Sequence, residues 1–311
     1  MTSGRRRLFK TKTSQDLFLA VRELMVNNFL PCEIETANTW QTVQYIGMAR
    51  APIPGVYWWI HRVPEDPMSQ RYAILNLYVA ELRADNDKTT TLAPRNADNT
   101  EKVLAFLKRA EELEQQYREW YDSQGSLWAP TTAAWINNDN VGDLATSKVF
   151  PGRLEVFSDL TKGYKYNIAR AAQIFIWTSI LRSVAWMGNA EDYMATSHFA
   201  NARQRCAELI EGIVASVPYF LGWKGYPNAS IAGASYSPCG NDTQAKTASV
   251  VFILFPMFVA IRSDFATPEQ RTFMKGKLKH IAENEGVSQA SMLLAVCFRT
   301  CALEMVILTW V

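Results

Sequence analysis

Apolar residues recur at three- and four-residue steps through most of this chain, and that period is the signature of helices with one face turned inward. The clearest run lies between Tyr164 and Trp223. Ile168, Ala171, Ala172, Phe175, Ile176, Ser179, Ile180 and Val184 mark one long amphipathic helix, and Cys206, Leu209, Ile210, Ile213 and Val217 mark a second. Pro218 is expected to stop that second helix near Val217, with Tyr219, Phe220 and Leu221 folding back on the core and Gly222 releasing the chain. Upstream, Thr13 or Ser14 caps a helix bearing Leu17, Phe18, Val21, Leu24 and Met25, which Pro31 ends. A short helix is expected within residues 36–48. The spacing of Tyr72, Leu75, Val79 and Leu82 predicts a helix from Met68 to Ala84, followed by a polar loop over residues 85–99.

Asp98-Asn99-Thr100-Glu101 then reads as a capping box. It opens a helix to about Tyr121, striped by Val103, Phe106, Leu107, Ala110, Leu113, Tyr117 and Trp120. Its charges at Lys108, Arg109, Glu111, Glu112 and Arg118 form a solvated face. Residues 122–160 lack the period and are expected to be loop, with helix resuming near Asp159. Val251 to Ala260 is apolar on every side, which predicts a central helix kinked at Pro256. Thr267-Pro268-Glu269-Gln270 starts another helix, closed by Gly286, and Ser288 starts the last. The expected fold class is therefore all-α and multi-helical, with no sheet beyond an incidental hairpin. The domains read as a loose basic tail over residues 1–12 and one helical body over 13–311, with mobile loops near 85–99 and 122–160.

Composition agrees with a folded chain: of 311 residues, 48% are hydrophobic and 20% charged. The formal charge of +2 hides a concentration at one end. Arg5, Arg6, Arg7, Lys10 and Lys12 account for five of the 32 basic residues, leaving 27 against 30 acidic ones. The tail has the composition of a nuclear-import signal or a phosphate-contacting arm, or simply of a solvated terminus. The body, slightly acidic, is not a nucleic-acid surface by its sum. Five scattered cysteines, Cys32, Cys206, Cys239, Cys297 and Cys301, point to reduced thiols inside the cell. The apolar run from Ser249 to Ile261 is too short to span a bilayer, so no membrane is expected.

No catalytic residue, metal site or cofactor emerges. Gly233-Ala234-Ser235-Tyr236-Ser237 lacks the second glycine and the strand of a nucleophile elbow. His61, His198 and His280 share no ligand spacing. Asn138-Asp139-Asn140, Asp143 and Glu191-Asp192 lack the helical spacing of an aspartate-rich metal motif. Tyr57-Trp58-Trp59-Ile60-His61 could line a ligand cavity, though such clusters mostly fill gaps between helices.

Three segments resemble the C-terminal regulatory region of fungal zinc-cluster transcription factors. They are Leu8-Phe9-Lys10 with Ser14-Gln15-Asp16-Leu17-Phe18-Leu19-Ala20-Val21-Arg22; residues 164–222, which open on Tyr164-Lys165-Tyr166-Asn167-Ile168-Ala169-Arg170; and Val251-Phe252-Ile253-Leu254-Phe255-Pro256-Met257-Phe258-Val259-Ala260. Glu285-Gly286-Val287-Ser288-Gln289-Ala290 resembles a motif near that region's end. The resemblance implies a nuclear regulator of transcription, serving a metabolic or secondary-metabolite pathway. It would act through protein contacts (a DNA-binding partner or a second copy) or through a small-molecule effector. The six-cysteine zinc module of that family is not in this sequence, and a missing first exon would account for that as well as true absence would. Sequence-specific DNA binding by this chain alone is therefore not expected. The competing reading is an enzyme or ligand-binding pathway protein on the same helical scaffold.

Overall fold

The computed structural model describes residues 42–43, 45–52, 55–60, 67–86, 88–89, 95–125, 128–138, 141–188, 193–222 and 243–307; side chains at 58, 243–248 and 298–307 are not described. The expected helix after Ser14, its stop at Pro31 and the segment 8–22 lie outside these residues. Among the described residues, eight helices and one hairpin follow in order: α1 Val56–Ile60, α2 Pro67–Asn86, α3 Ala97–Asp122, β1 Thr131–Ile136, β2 Gly152–Val156, α4 Leu160–Met187, α5 Ser197–Phe220, α6 Thr243–Arg262, α7 Pro268–Asn284 and α8 Ser288–Ile307. The all-α class stands, and its one sheet has two strands. No helix among the described residues is long and apolar enough to cross a membrane. The chain divides into two compact units, one holding Met1–Ser123 with Thr178–Met187, the other Gln124–Trp177 with Gly188–Val311.

In the first unit, α2 and α3 pack together. Every predicted stripe residue of α3 is buried. The Trp120 indole donates to the Met68 carbonyl at 3.2 Å, and its ring lies 5.6 Å from that of Tyr72. Arg71–Glu119 at 2.7 Å and Arg109–Asp85 at 2.9 Å link the two helices near their ends. Both pairs are largely exposed and contribute no more than about 1 kcal/mol each. Two boundaries differ from expectation. α2 runs on to Asn86, and the cap of α3 is Asn96, not Asp98. Asn96 has the extended backbone a cap requires, and its side chain accepts from the Asn99 amide at 2.8 Å; Asp98 is already inside the first turn.

In the second unit, part of the stretch expected to be loop is an antiparallel hairpin, with a register irregularity between Thr132 and Ala134. β2 packs on α5. Asp159 caps α4 where predicted, accepting from the Lys162 amide at 2.8 Å. α6 is central as expected: Tyr164 of α4 stacks on its Phe252 at 4.4 Å, and Phe175 lies 6.3 Å from its Phe255. Thr267 and Gln270 complete a capping box at the start of α7, and Gly286, at φ +69°, closes it. Cys206 and Cys297 are buried.

Two expectations about the paired helices are corrected. Pro218 does not end α5, which continues through Phe220. The proline forfeits one backbone bond and strains the turn, at about 3 kcal/mol. Continuing the helix instead buries Tyr219 and Phe220 against Phe157, and a fully buried aromatic ring contributes about 1.5–3 kcal/mol. The turn falls at Gly222, whose φ of +75° suits glycine. The first half of α4, moreover, is not a one-faced amphipathic helix. Residues 163–165, 167–174 and 176–177 are all buried, so α4 is enclosed on nearly every side.

Candidate functional site

Enclosure of the first half of α4 buries four polar side chains that its sequence carries among apolar ones: Lys165, Asn167, Arg170 and Gln173. Lys165 sets its ammonium 5.6 Å from the Trp128 ring centre. The other three recur at three-residue steps and form a seam along one side of the helix. α5 faces them with Gly212, Ser216 and Arg205, and β2 adds Arg153 and Glu155.

The centre of the seam is Arg170. One guanidinium nitrogen lies 2.8 Å from the Glu155 carboxylate. Another donates to the Asn167 side-chain oxygen at 3.0 Å and to the Gly212 carbonyl at 2.8 Å. The Tyr166 ring lies under the group, 4.8 Å from Cζ to the ring centre. Arg170 and Glu155 are only 5% and 3% exposed. Gly212 is a steric requirement here, since a Cβ at that position would fall 2.6 Å from the Arg170 Cζ. Ser216 donates to the Ile213 carbonyl at 2.8 Å and sits 3.2 Å from Asn167 Oδ1.

Toward the surface the network continues through half-buried groups. Arg153 bridges the second oxygen of Glu155 and the exposed Glu211, both at 3.3 Å. Arg205 donates to Gln173 Oε1 at 3.3 Å and pairs with Glu208 at 3.2 Å. Burial pushes the Tyr166 phenol above its usual range; Arg170, Arg205 and Arg153 pull it back, while Glu155 adds to the rise. The side-chain nitrogens of Asn167 and Gln173 are buried without an acceptor. Such unmatched donors cost about 1–3 kcal/mol each, so the seam is an expensive feature of the core.

Chemically, the seam can orient and hold. Its guanidiniums engage its carboxylates, and no nucleophile stands beside a base within it. A concavity lined by Phe150, Arg153, Leu154, Val214, Ala215 and Pro218 is too small to seat a water molecule. Among the described residues no group of three His, Cys, Asp or Glu could hold a metal ion.

The residues singled out in the sequence fall elsewhere. Arg5, Arg6, Arg7, Lys10 and Lys12 lie outside the described residues, as do His61, Asp139, Asn140, Glu191, Asp192 and Gly233–Ser237. His280 hydrogen-bonds Asn284 one turn along α7. Asp143 organises its own turn, accepting from the Ala145 amide and the Thr146 hydroxyl. Trp59 packs among Val56, Leu77, Tyr45 and Ile60, as the packing reading expects of it, whereas Tyr57 of the same cluster is exposed. Of the seam, the sequence shows only Arg170 as a charge set inside an apolar helical run.

No family model matches the sequence, and no solved structure matches it. Among curated proteins, the chain is similar to the transcription factor dbaG of Emericella nidulans, with 22% identity over 178 residues. The match covers 56% of this chain and 39% of that protein, so this chain spans well under two thirds of its relative.

Proposed function

We propose that this chain regulates transcription of a metabolic or secondary-metabolite pathway in a fungal nucleus, working through a protein partner or a small-molecule effector. The observation that carries the reading is the similarity to the transcription factor dbaG, which extends over more than half of the chain. The body of packed helices suits a regulatory scaffold. These 311 residues contain no six-cysteine array, so under this reading DNA recognition comes from a partner or from a zinc module outside these residues. The basic residues Arg5, Arg6, Arg7, Lys10 and Lys12 then serve nuclear import or contact with phosphates. Alone, the chain neutralises about five phosphates at most through that tail, and its binding to duplex DNA is weak, without sequence preference, and lost steeply as salt rises.

The test is deletion of the gene followed by complementation with a fluorescently tagged copy, scoring nuclear signal and transcripts genome-wide. A nuclear protein whose loss changes the transcripts of one pathway supports the reading. An extranuclear protein whose loss leaves transcripts unchanged while a pathway intermediate accumulates would overturn it in favour of an enzyme or carrier.

A further inference from the structure

We infer that the polar seam is a register lock: it fixes where along its axis α5 sits against α4, a choice that apolar packing leaves open. The seam's contacts form three rungs between the helices. Asn167 meets Ser216 at 3.2 Å, Arg170 meets the Gly212 carbonyl at 2.8 Å, and Gln173 meets Arg205 at 3.3 Å. Residue numbers rise on α4 as they fall on α5, so the two helices run antiparallel. Such a pair can slide by one helical turn, about 5.4 Å, without turning its faces away from one another.

The apolar residues resist that slide weakly. On α5, Cys206, Ile210 and Val214 recur at four-residue steps, as do Leu209, Ile213 and Val217, and all six are buried. On α4, Ile168, Ala172, Ile176 and Ile180 do the same. Moving one helix by a turn exchanges one apolar side chain for another, and cores tolerate exchanges of that kind. The seam has no such repeat. Gly212 is the only glycine of α5, and a Cβ in its place would fall 2.6 Å from the Arg170 Cζ. One turn away stand Glu208 and Leu209 on one side and Ala215 and Ser216 on the other, each with the Cβ that Gly212 lacks. Glu208 would also bring a second carboxylate up to Glu155, and like charges in one site oppose each other.

Energetics point the same way. Unmatched amides and desolvated ions make the seam a poor source of stability, and a buried ion pair exchanged for apolar residues loses little. What polar groups in a helix interface supply is a single acceptable alignment, as one buried asparagine does in a coiled coil. Tyr219 and Phe220, whose rings lie 5.5 and 6.2 Å from that of Phe157, are the rival guides to the register. They act at one end of α5, whereas the rungs run from Arg205 to Ser216. The inference rests on packing and stands or falls separately from the regulatory reading.

The test is methyl NMR of the full chain labelled at isoleucine, comparing wild type with the double variant Glu155→Leu with Arg170→Met, with thermal melts as the check on folding. Each isoleucine of the wild type should give one signal. In the double variant the melt should stay cooperative, while Ile168, Ile176, Ile210 and Ile213 each gain a second signal of at least about a tenth of the intensity. Ile46 and Ile281, elsewhere in the fold, should stay single. Ser216→Gly leaves the ion pair intact and offers Arg170 a second glycine one turn along, so it should split the same four signals. It decides the matter if the double variant does not fold. A folded double variant with single signals throughout would overturn the proposal and leave the Phe157 contacts as what sets the register. So would splitting that reaches Ile46 and Ile281, which would report a loosened core and not a slide.

Discussion

Helices α3 and α4 both carry charges among apolar residues, yet the charges mean opposite things. On α3, Lys108 and Glu112 sit on the wet face, 3.9 Å apart and mostly exposed. On α4, Arg170 is buried against Glu155, Asn167 and the Gly212 carbonyl. A pair in water gains little because solvent already satisfies both ions. An ion in the core has lost that solvent and depends on the partners the fold supplies. The comparison shows that the consequence of a charge is set by what the chain packs around it, not by its spacing along a helix.

The largest effect should come from removing one side of the buried pair. Glu155→Ala strands the Arg170 guanidinium and should cost about 3–5 kcal/mol in urea unfolding. Replacing both ions with apolar residues of similar size, Glu155→Leu with Arg170→Met, should recover most of that loss. If the single variant unfolds like wild type, the seam is not a desolvated network and the contrast with α3 fails.

Next comes Gly212→Ala. Its added methyl meets the Arg170 guanidinium, and overpacking of this kind costs about 1–3 kcal/mol. The loss should largely disappear in an Arg170→Met background, where no guanidinium is left to displace. Persistence of the full penalty there would mean that Gly212 answers to something other than Arg170.

Lys277 sharpens the comparison from a third side, as a buried charge with no carboxylate among its described partners. Its ammonium donates to the Thr146 carbonyl at 3.4 Å and lies 5.5 Å from the Phe273 ring centre. Burial, and then Lys148, lowers its pKa below the ordinary 10.5. The folded state thus favours the neutral amine, and at neutral pH it bears the cost of the charged one. Stability should rise as pH climbs from the lowered folded value toward 10.5, because the unfolded chain there binds more protons than the folded one. Thermal melts of wild type and Lys277→Met across that range should show a slope that the variant loses. Parallel curves would count against the site's desolvation.

The smallest effect belongs to α3. Glu112→Ala should change stability by no more than about 0.5 kcal/mol, and added salt should erase what there is. A larger loss by calorimetry would mean that the α3 surface is engaged in a way its exposure does not suggest.

Much of the fold was legible in the residues. The α3 stripe, the Asp159 start of α4, the Thr267 box and the Gly286 stop are encoded within a turn or two of chain, where side-chain period and capping chemistry act locally. The misses came where distant contacts outweighed local preference. Pro218 looked like a stop until the burial of Tyr219 and Phe220 was set against one lost backbone bond. Residues 131–136 and 152–156 looked like loop because a short hairpin draws its definition from a partner strand and from α5 beneath it. The seam was invisible for the same reason.

Sequence alone determined that the chain is a multi-helix protein, where several helices begin and end, and that α6 is an apolar central helix, because those properties follow from periodicity, caps and apolar runs. Only the tertiary structure decided that Arg170 meets Glu155 from β2 and Gly212 from α5, 42 residues further along the chain. Helical spacing can place a charge on a face. Whether that face meets water or a carboxylate depends on which distant segments fold against it, and no local pattern carries that information.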